Sequence, residues 1–290
     1  MTDREPAPGL VSIPALMARN ARTLTQRAAY REKEFGIWQV WSWEEAHAET
    51  RALAMGLLAL GLKRGDFVAV VGRNRPSLYW SIVATQMCGA VPVPLYQDAV
   101  AEEAAYVLEH CGARFVVCGD QEQVDKVIEV QERIQCIDQV VYVDKRGMRK
   151  YDHSRMNALA DVLTEGKAAH HRFEAELDTR IAAITYDDPC VMLYTSGTTG
   201  KPKGVVIRHQ SICNFVRVAA ASYGYKPGDR VYQGMTIAFD FSTEEIWVPF
   251  AAGATVVPAS GQMTLVGEEL ADFLRAHEIT CMACSPTLLS

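Results

Sequence analysis

Charged and bulky apolar residues alternate over 29–43 around Phe35-Gly36-Ile37, and this period of two predicts a β-hairpin. Ser42-Trp-Glu-Glu45 has the form of a capping box, which places a helix start at Ser42. Ala46, Leu53, Leu57 and Leu60 lie on one face of that helix, and Gly61 stops it. Phe67-Val-Ala-Val-Val71 is short and wholly apolar, the pattern of a strand buried on both faces of a parallel sheet. The alternation then repeats. Helices over about 76–88, 101–111 and 121–134 lead in turn to apolar strands at 90–95, 115–118 and 140–143. This predicts an α/β fold of mostly parallel sheets flanked by helices.

From 144 to 188 the chain turns charged, with Lys145-Arg-Gly-Met-Arg-Lys150 and His170-His-Arg172, and reads as a connection between two lobes. The basic cluster reads as a solvated loop. A second α/β series begins at Cys190, so the expected division is a first lobe over 1–185 and a partial second lobe over 186–290. Trp38, Trp41, Trp43 and Trp80 read as packing residues.

Composition narrows the function. A length of 290 residues suits one large or two ordinary domains, and a net charge of −6 offers no general attraction to nucleic acid or an anionic membrane. The N-terminus has no basic start leading into an apolar core, so no export signal is expected. The longest nearly apolar stretch, 52–62, is interrupted by Gly56 and Gly61 and is too short to span a bilayer. A cytoplasmic protein is expected, with peripheral membrane contact left open. The cysteines, at 88, 111, 118, 136, 190, 213, 281 and 284, read as reduced core thiols. Cys281-Met-Ala-Cys284 has the spacing of half a zinc site or of a redox pair. It lies in an apolar run without a second Cys/His pair, so no metal site is expected.

The strongest chemical signal is Val191-Met-Leu-Tyr-Thr-Ser-Gly-Thr-Thr-Gly-Lys-Pro-Lys-Gly-Val-Val-Ile207. An apolar strand runs into a stretch dense in glycine, hydroxyls and lysine, and a second apolar strand runs out. Gly197, Gly200 and Gly204 permit close approach of a ligand. Their amides and the hydroxyls of Thr195, Ser196, Thr198 and Thr199 can ring a polyanion, with Lys201 and Lys203 supplying positive charge. A plain hairpin needs a shorter turn. A Walker-type loop fails on spacing, because only two residues separate Gly197 from Gly200 and Pro202 follows Lys201. It also fails on context, because 205–207 reads as a strand where that motif enters a helix.

Tyr194-Thr-Ser-Gly-Thr-Thr-Gly-Lys-Pro-Lys-Gly204 resembles the signature loop of the adenylate-forming superfamily of acyl-CoA synthetases, luciferases and nonribosomal peptide synthetase adenylation domains. The resemblance implies an incomplete large N-terminal domain of such an enzyme. It implies that Thr195, Ser196, Gly197, Thr198, Thr199, Gly200, Lys201 and Lys203 bind the ATP phosphates. The implied reaction uses ATP and Mg²⁺. A substrate carboxylate attacks the α-phosphate, an acyl-adenylate forms and pyrophosphate leaves.

Two subfamilies are in view. Over about 13–143 the chain is similar to long-chain fatty acyl-CoA synthetases, carried by Gly61-Leu-Lys-Arg-Gly-Asp-Phe-Val-Ala-Val-Val71 and Gly89-Ala-Val-Pro-Val-Pro-Leu-Tyr-Gln97. The stretch from Ala101 to Val116 also fits. From about 208 onward it looks more like an amino-acid adenylation domain, carried by Ala238-Phe-Asp-Phe-Ser-Thr-Glu-Glu-Ile-Trp247 and Gly253-Ala-Thr-Val-Val257. There Asp240 occupies the position whose carboxylate pairs with a substrate α-ammonium. Its plainer reading is a helix-start charge, since Ser242-Thr-Glu-Glu245 has the form of a capping box and Glu244 and Glu245 read as first-turn charges. Fatty acid with CoA as acceptor leads narrowly. Amino acid with a carrier-protein thiol is the alternative, and a non-catalytic nucleotide-binding fragment is the third reading. The resemblance implies further motifs that have no counterpart before Ser290: a Mg²⁺-assisting Glu, a ribose-binding Asp and a lid domain with the catalytic Lys. The chain is therefore expected to be truncated, with little turnover alone. His209, after the second strand, reads as a helix cap or a solvent-facing residue rather than a ligand contact.

Overall fold

The computed structural model describes residues 11–34, 36–195, 201–259 and 265–284. Helix α1 (Ile13–Thr23) starts at Ser12, whose Oγ accepts the Ala15 N–H at 3.2 Å. The hairpin follows as β1 (Ala28–Glu34) and β2 (Ile37–Ser42), antiparallel from Ala28↔Ser42 to Glu34↔Ile37. Ser42 then caps α2 (Trp43–Ala59) with both bonds of the capping box in place.

The repeating strands and helices form next: β3 (Phe67–Val71), α3 (Pro76–Met87), β4 (Val91–Leu95), α4 (Ala101–Cys111), β5 (Ala113–Cys118), α5 (Gln121–Gln131) and β6 (Gln139–Tyr142). Together with β7 (Met156–Ala158) they give a five-stranded sheet, parallel throughout, in the order β4-β3-β5-β6-β7. Successive residues of its strands point to different cores. Val68, Val70, Phe115 and Val117 belong to one apolar cluster, while Ala69, Val71, Val116 and Cys118 belong to another. Burial on both faces is why these strands carry no polar alternation.

The charged stretch over 144–188 corrects the expectation of a connecting segment. It supplies β7 to the sheet, then α6 (Leu159–Ala168) and α7 (His170–Ala182). Leu159, Val162, Phe173 and Leu177 are buried, and the charges lie on the outer faces of the two helices.

Beyond this come β8 (Pro189–Thr195), β9 (Lys203–Arg208), α8 (His209–Tyr223), β10 (Arg230–Gln233), α9 (Ser242–Ala252), β11 (Thr255–Pro258) and α10 (Gly267–Ala276). β8 and β9 pair antiparallel as a two-stranded sheet. β10 and β11 do not join them. They run parallel to β1, in a four-stranded sheet ordered β10-β11-β1-β2, so strands from both sides of residue 185 share one sheet. Tyr30, Trp43 and Phe250 pack together at that junction, with Tyr30 and Phe250 ring centroids 5.5 Å apart and those of Trp43 and Phe250 4.7 Å apart. No described helix is long and apolar enough to cross a membrane.

Candidate active site

β8 and β9 are joined through the glycine- and threonine-rich segment. Their register ends with Tyr194 opposite Gly204 and Thr195 opposite Lys203. The register sets Thr195 and Lys203 side by side at the mouth of the loop. Thr195, Lys201 and Lys203 are exposed. Ser196, Gly197, Thr198, Thr199 and Gly200 lie outside the described residues.

The strand entering the loop is firmly held. Tyr194 is buried, and its hydroxyl lies 2.7 Å from Nδ1 of His110 on α4. Burial, then the neighbouring Cys111, pushes the Tyr194 phenol well above its ordinary value. Across the pair, Gly204 leaves room for the ends of the Met192 and Tyr194 side chains. A Cβ there would meet the Met192 methyl at 2.0 Å and the Tyr194 ring at 3.1 Å.

A cavity of about 330 Å³ opens beside the mouth, lined by Pro94, Leu95, Tyr96, Val107, Tyr194, Thr195 and Pro202 among others. Its walls are the C-terminal end of β4, one face of α4 and the end of β8. Asp240 sits exposed in the turn before α9, its carbonyl accepting the Thr243 N–H at 3.0 Å. Its charge reaches Tyr96, whose phenol is raised first by burial and then by Asp240. Thr195 and Tyr96 line the cavity, and Asp240 is not among its lining residues.

Two local expectations are corrected. Ser242 does not cap α9: the cap residue is Phe241, without a side-chain bond, and Ser242 Oγ instead donates to the Ile237 carbonyl at 3.3 Å. Glu245 lies in the first turn of α9 as expected, but it is buried rather than on the surface. It is 1% exposed, and its Oε2 accepts the N–H groups of Gly234 at 3.0 Å and Met235 at 2.8 Å, and Gln233 Nε2 at 3.1 Å. Burial pushes its carboxyl up to about 7, against the pull of those donors. Asn74 Nδ2 donates to the Met235 carbonyl at 3.0 Å, and the Tyr79 hydroxyl donates to Gln233 Oε1 at 2.5 Å. Glu245 therefore fixes the turn leading to Asp240 and ties it to α3. The signal was available in the sequence, because 245 shares a helical face with Val248 and Pro249.

The second correction is His209. It neither caps α8 nor faces solvent; it is buried, and burial holds it neutral with its pKa near 4. Glu244 keeps a surface role, accepting from the Tyr223 hydroxyl at 3.0 Å. Lys145 pairs with Asp161 at 2.8 Å and Arg146 with Asp144 at 2.5 Å, both on an exposed loop. All eight cysteines are free thiols, and Cys281 forms a backbone bridge beside Val231.

The family model described as AMP-binding enzyme matches residues 17–290. The delta-poly-L-ornithine synthetase of Acinetobacter baumannii is 29% identical over 95% of this chain and 18% of its own length. A long-chain-fatty-acid–CoA ligase of Mycobacterium tuberculosis is 31% identical over 74% of this chain and 35% of its own. The chain thus spans about a third or less of these curated relatives. Among solved structures, an anthranilate CoA ligase in complex with anthranoyl-AMP superposes with a TM-score of 0.81 at 19% identity, covering 97% of this chain and 51% of that one. The N-terminal subdomain of Klebsiella oxytoca NpsA gives 0.70 at 22% identity, covering 98% of this chain and 63% of that one. These likenesses identify the fold as that of the N-terminal part of an adenylate-forming enzyme.

Proposed function

The chain belongs to the AMP-binding enzyme family, and from that premise we propose that it is most of the nucleotide-binding half of an ATP-dependent carboxylate-activating enzyme. The substrate carboxylate oxygen bonds to the α-phosphorus of ATP as the bond to pyrophosphate breaks; a thiol sulfur then bonds to the acyl carbon, the acyl–phosphate C–O bond breaks, and AMP leaves. The observation that carries this reading is the β8–β9 register, which sets Thr195 against Lys203 at the mouth of the loop and beside a cavity.

In this reading Thr195, Lys201, Lys203 and residues 196–200 bind and orient the polyphosphate. Such a transfer chiefly needs alignment and charge neutralisation, which hydroxyls, amides and lysines provide. Mg²⁺, when bound with ATP, supplies further neutralisation.

The substrate we propose is a fatty acid, with CoA as acceptor. The fatty acyl-CoA synthetase character of 13–143 and the largely apolar wall of the cavity at Leu95, Val107 and Pro202 support it. The second reading is amino-acid adenylation with a carrier-protein thiol as acceptor, supported by the exposed Asp240 carboxylate near Tyr96. A cytoplasmic location accords with the free thiols. Carboxylate-dependent ATP–pyrophosphate exchange tests the reading, run on the 290-residue chain and on any longer form the gene encodes. One pool holds fatty acids and the other L-amino acids. Exchange with neither pool would sink the catalytic reading.

A further inference from the structure

The five-stranded sheet changes direction between two neighbouring strands. From β3 the chain moves outward to β4, whereas β5 lies on the other side of β3 and leads on to β6. The helices that follow β3 and β5 accordingly pack on opposite faces. Leu78 and Tyr79 of α3 belong to one apolar cluster, and Val124 and Val127 of α5 to the other. Such a divergence opens a crevice at the carboxyl ends of the two strands, the usual place for a ligand in an open parallel sheet. Here β3 and β5 are followed by Gly72 and Gly119, whose backbones touch: a Cβ on Gly72 would stand 2.8 Å from the Gly119 Cα. A cavity of about 350 Å³ opens at Gly119, and none of its lining residues lines the cavity beside Thr195.

Three carboxylates and three guanidiniums line the crevice, and they are unequally engaged. Each carboxylate has a close partner. Asp144 accepts Arg146 Nε at 2.8 Å and Nη2 at 2.5 Å, Glu122 meets Lys126 Nζ at 3.0 Å, and Asp120 Oδ1 accepts the Gln123 N–H at 3.3 Å. Arg73 and Arg75 have only distant ones. Arg73 Nε stands 4.0 Å from Asp120 Oδ2, Arg75 Nε 3.7 Å from Glu32 Oε1, and Arg75 Nη2 3.5 Å from Glu34 Oε1. A formed guanidinium–carboxylate bond is about 2.7–2.9 Å long. Burial also pushes the Glu32 carboxyl up to about 7, which weakens its hold on Arg75 near neutral pH. Both arginine side chains reach solvent, Arg73 at 36% and Arg75 at 20% exposed, so a ligand can meet their donors.

We propose that this crevice binds a phosphoryl dianion, gripped by Arg73 and Arg75 together, either as free phosphate or as the end of a small phosphomonoester. Two guanidinium forks suit an acceptor with several oxygens and two charges, which a phosphoryl group supplies and a single carboxylate does not. The carboxylates of the crevice oppose it only weakly, because Arg146 and Lys126 already neutralise Asp144 and Glu122. A cation would instead meet the two guanidiniums whose charge is least compensated. The volume lies near the lower end for small-molecule sites, which leaves room for a short ester beyond the phosphoryl group. The proposal is independent of the adenylation reading, which uses neither arginine.

The test titrates the 290-residue chain in a calorimeter with sodium phosphate, ribose 5-phosphate, ribose and sodium acetate, at fixed pH and ionic strength. Saturable binding of phosphate or ribose 5-phosphate is expected, with acetate weaker by at least about tenfold and ribose without heat. Tighter binding of ribose 5-phosphate identifies a monoester as the occupant, and equal or tighter binding of phosphate identifies the free ion. Arg73→Met and Arg75→Met should each weaken the phosphoryl ligand by about tenfold or more. Lys203→Met, at the glycine-rich loop, serves as the control for phosphate held there. Circular dichroism and melting curves establish that each variant is folded. Absence of saturation with both phosphoryl ligands overturns the proposal. So does acetate or ribose binding as tightly, affinity unchanged in both folded arginine variants, or a loss confined to Lys203→Met.

Discussion

A Cβ on Gly166 would stand 1.8 Å from the carbonyl oxygen of Ala52. Gly56, across the same contact, has the Val162 carbonyl oxygen 2.3 Å from where its own Cβ would be. The two glycines let the backbones of α2 and α6 touch. Gly166→Ala thus has a sign that decides the matter. In a helix free of neighbours, alanine would stabilise by about 1 kcal/mol. At this crossing the methyl group must push the helices apart, and a net loss of about 1–3 kcal/mol is expected. Urea unfolding of the two proteins reads the difference, and a more stable variant would refute the close crossing.

That contact also shows where the sequence stopped being informative. Leu159, Val162 and Gly166 sit at helical spacing, but the charges around them make the stretch look like a linker, and glycine looks like a breaker. Only the partner helix gives Gly166 its purpose. The strands of the parallel sheet were legible because burial on both faces leaves unbroken apolar runs. The pairing of β1 with β11 was not, because alternation in a strand says which face is buried and nothing about which distant strand lies alongside.

Glu245 should make stability depend on pH. Its folded pKa, about 7, stands above the ordinary 4.5. The native state therefore holds a proton that the unfolded chain releases, and stability falls as pH rises from about 4.5 to about 7. The full effect is at most about 3 kcal/mol. His47, His209 and His277, each lowered to about 4 by burial, act oppositely and gain stability as pH rises toward 6.5. They are present in both proteins and cancel in a comparison. Glu245→Gln keeps an acceptor oxygen for Gly234 and Met235 while removing the titration. Measured at pH 5 and pH 8, the variant should lose less stability on the alkaline side than the parent. An identical loss in both would show that Glu245 titrates normally.

The proposal that the segment from Thr195 to Lys203 binds phosphate rests on its density of glycine, hydroxyls and lysine. Lys203 is exposed and stands opposite Thr195, so its removal separates binding from folding. Lys203→Met is expected to weaken ATP binding by roughly tenfold to a hundredfold, the value of one hydrogen bond to a charged group. Its urea midpoint should stay within experimental error of the parent. Equal ATP affinity in the two proteins would take Lys203 out of the site.

Asp240 was legible as a candidate but not as a role, because a carboxylate before a helix serves equally as a first-turn charge or an ammonium partner. Its exposure leaves the carboxylate accessible, and its charge raises the Tyr96 phenol, after burial. Asp240→Asn keeps the shape and removes the charge. If the substrate is a fatty acid, exchange with that acid should change by less than about twofold, since a neutral tail gains nothing from the charge. An amino-acid substrate would instead lose a charge-assisted bond, and its kcat/KM should fall by about tenfold to a hundredfold, mostly through KM. Running both pools on parent and variant joins substrate class to residue role in one experiment. A large loss with fatty acids alone would contradict both assignments and make Asp240 a structural support of the turn that Glu245 holds.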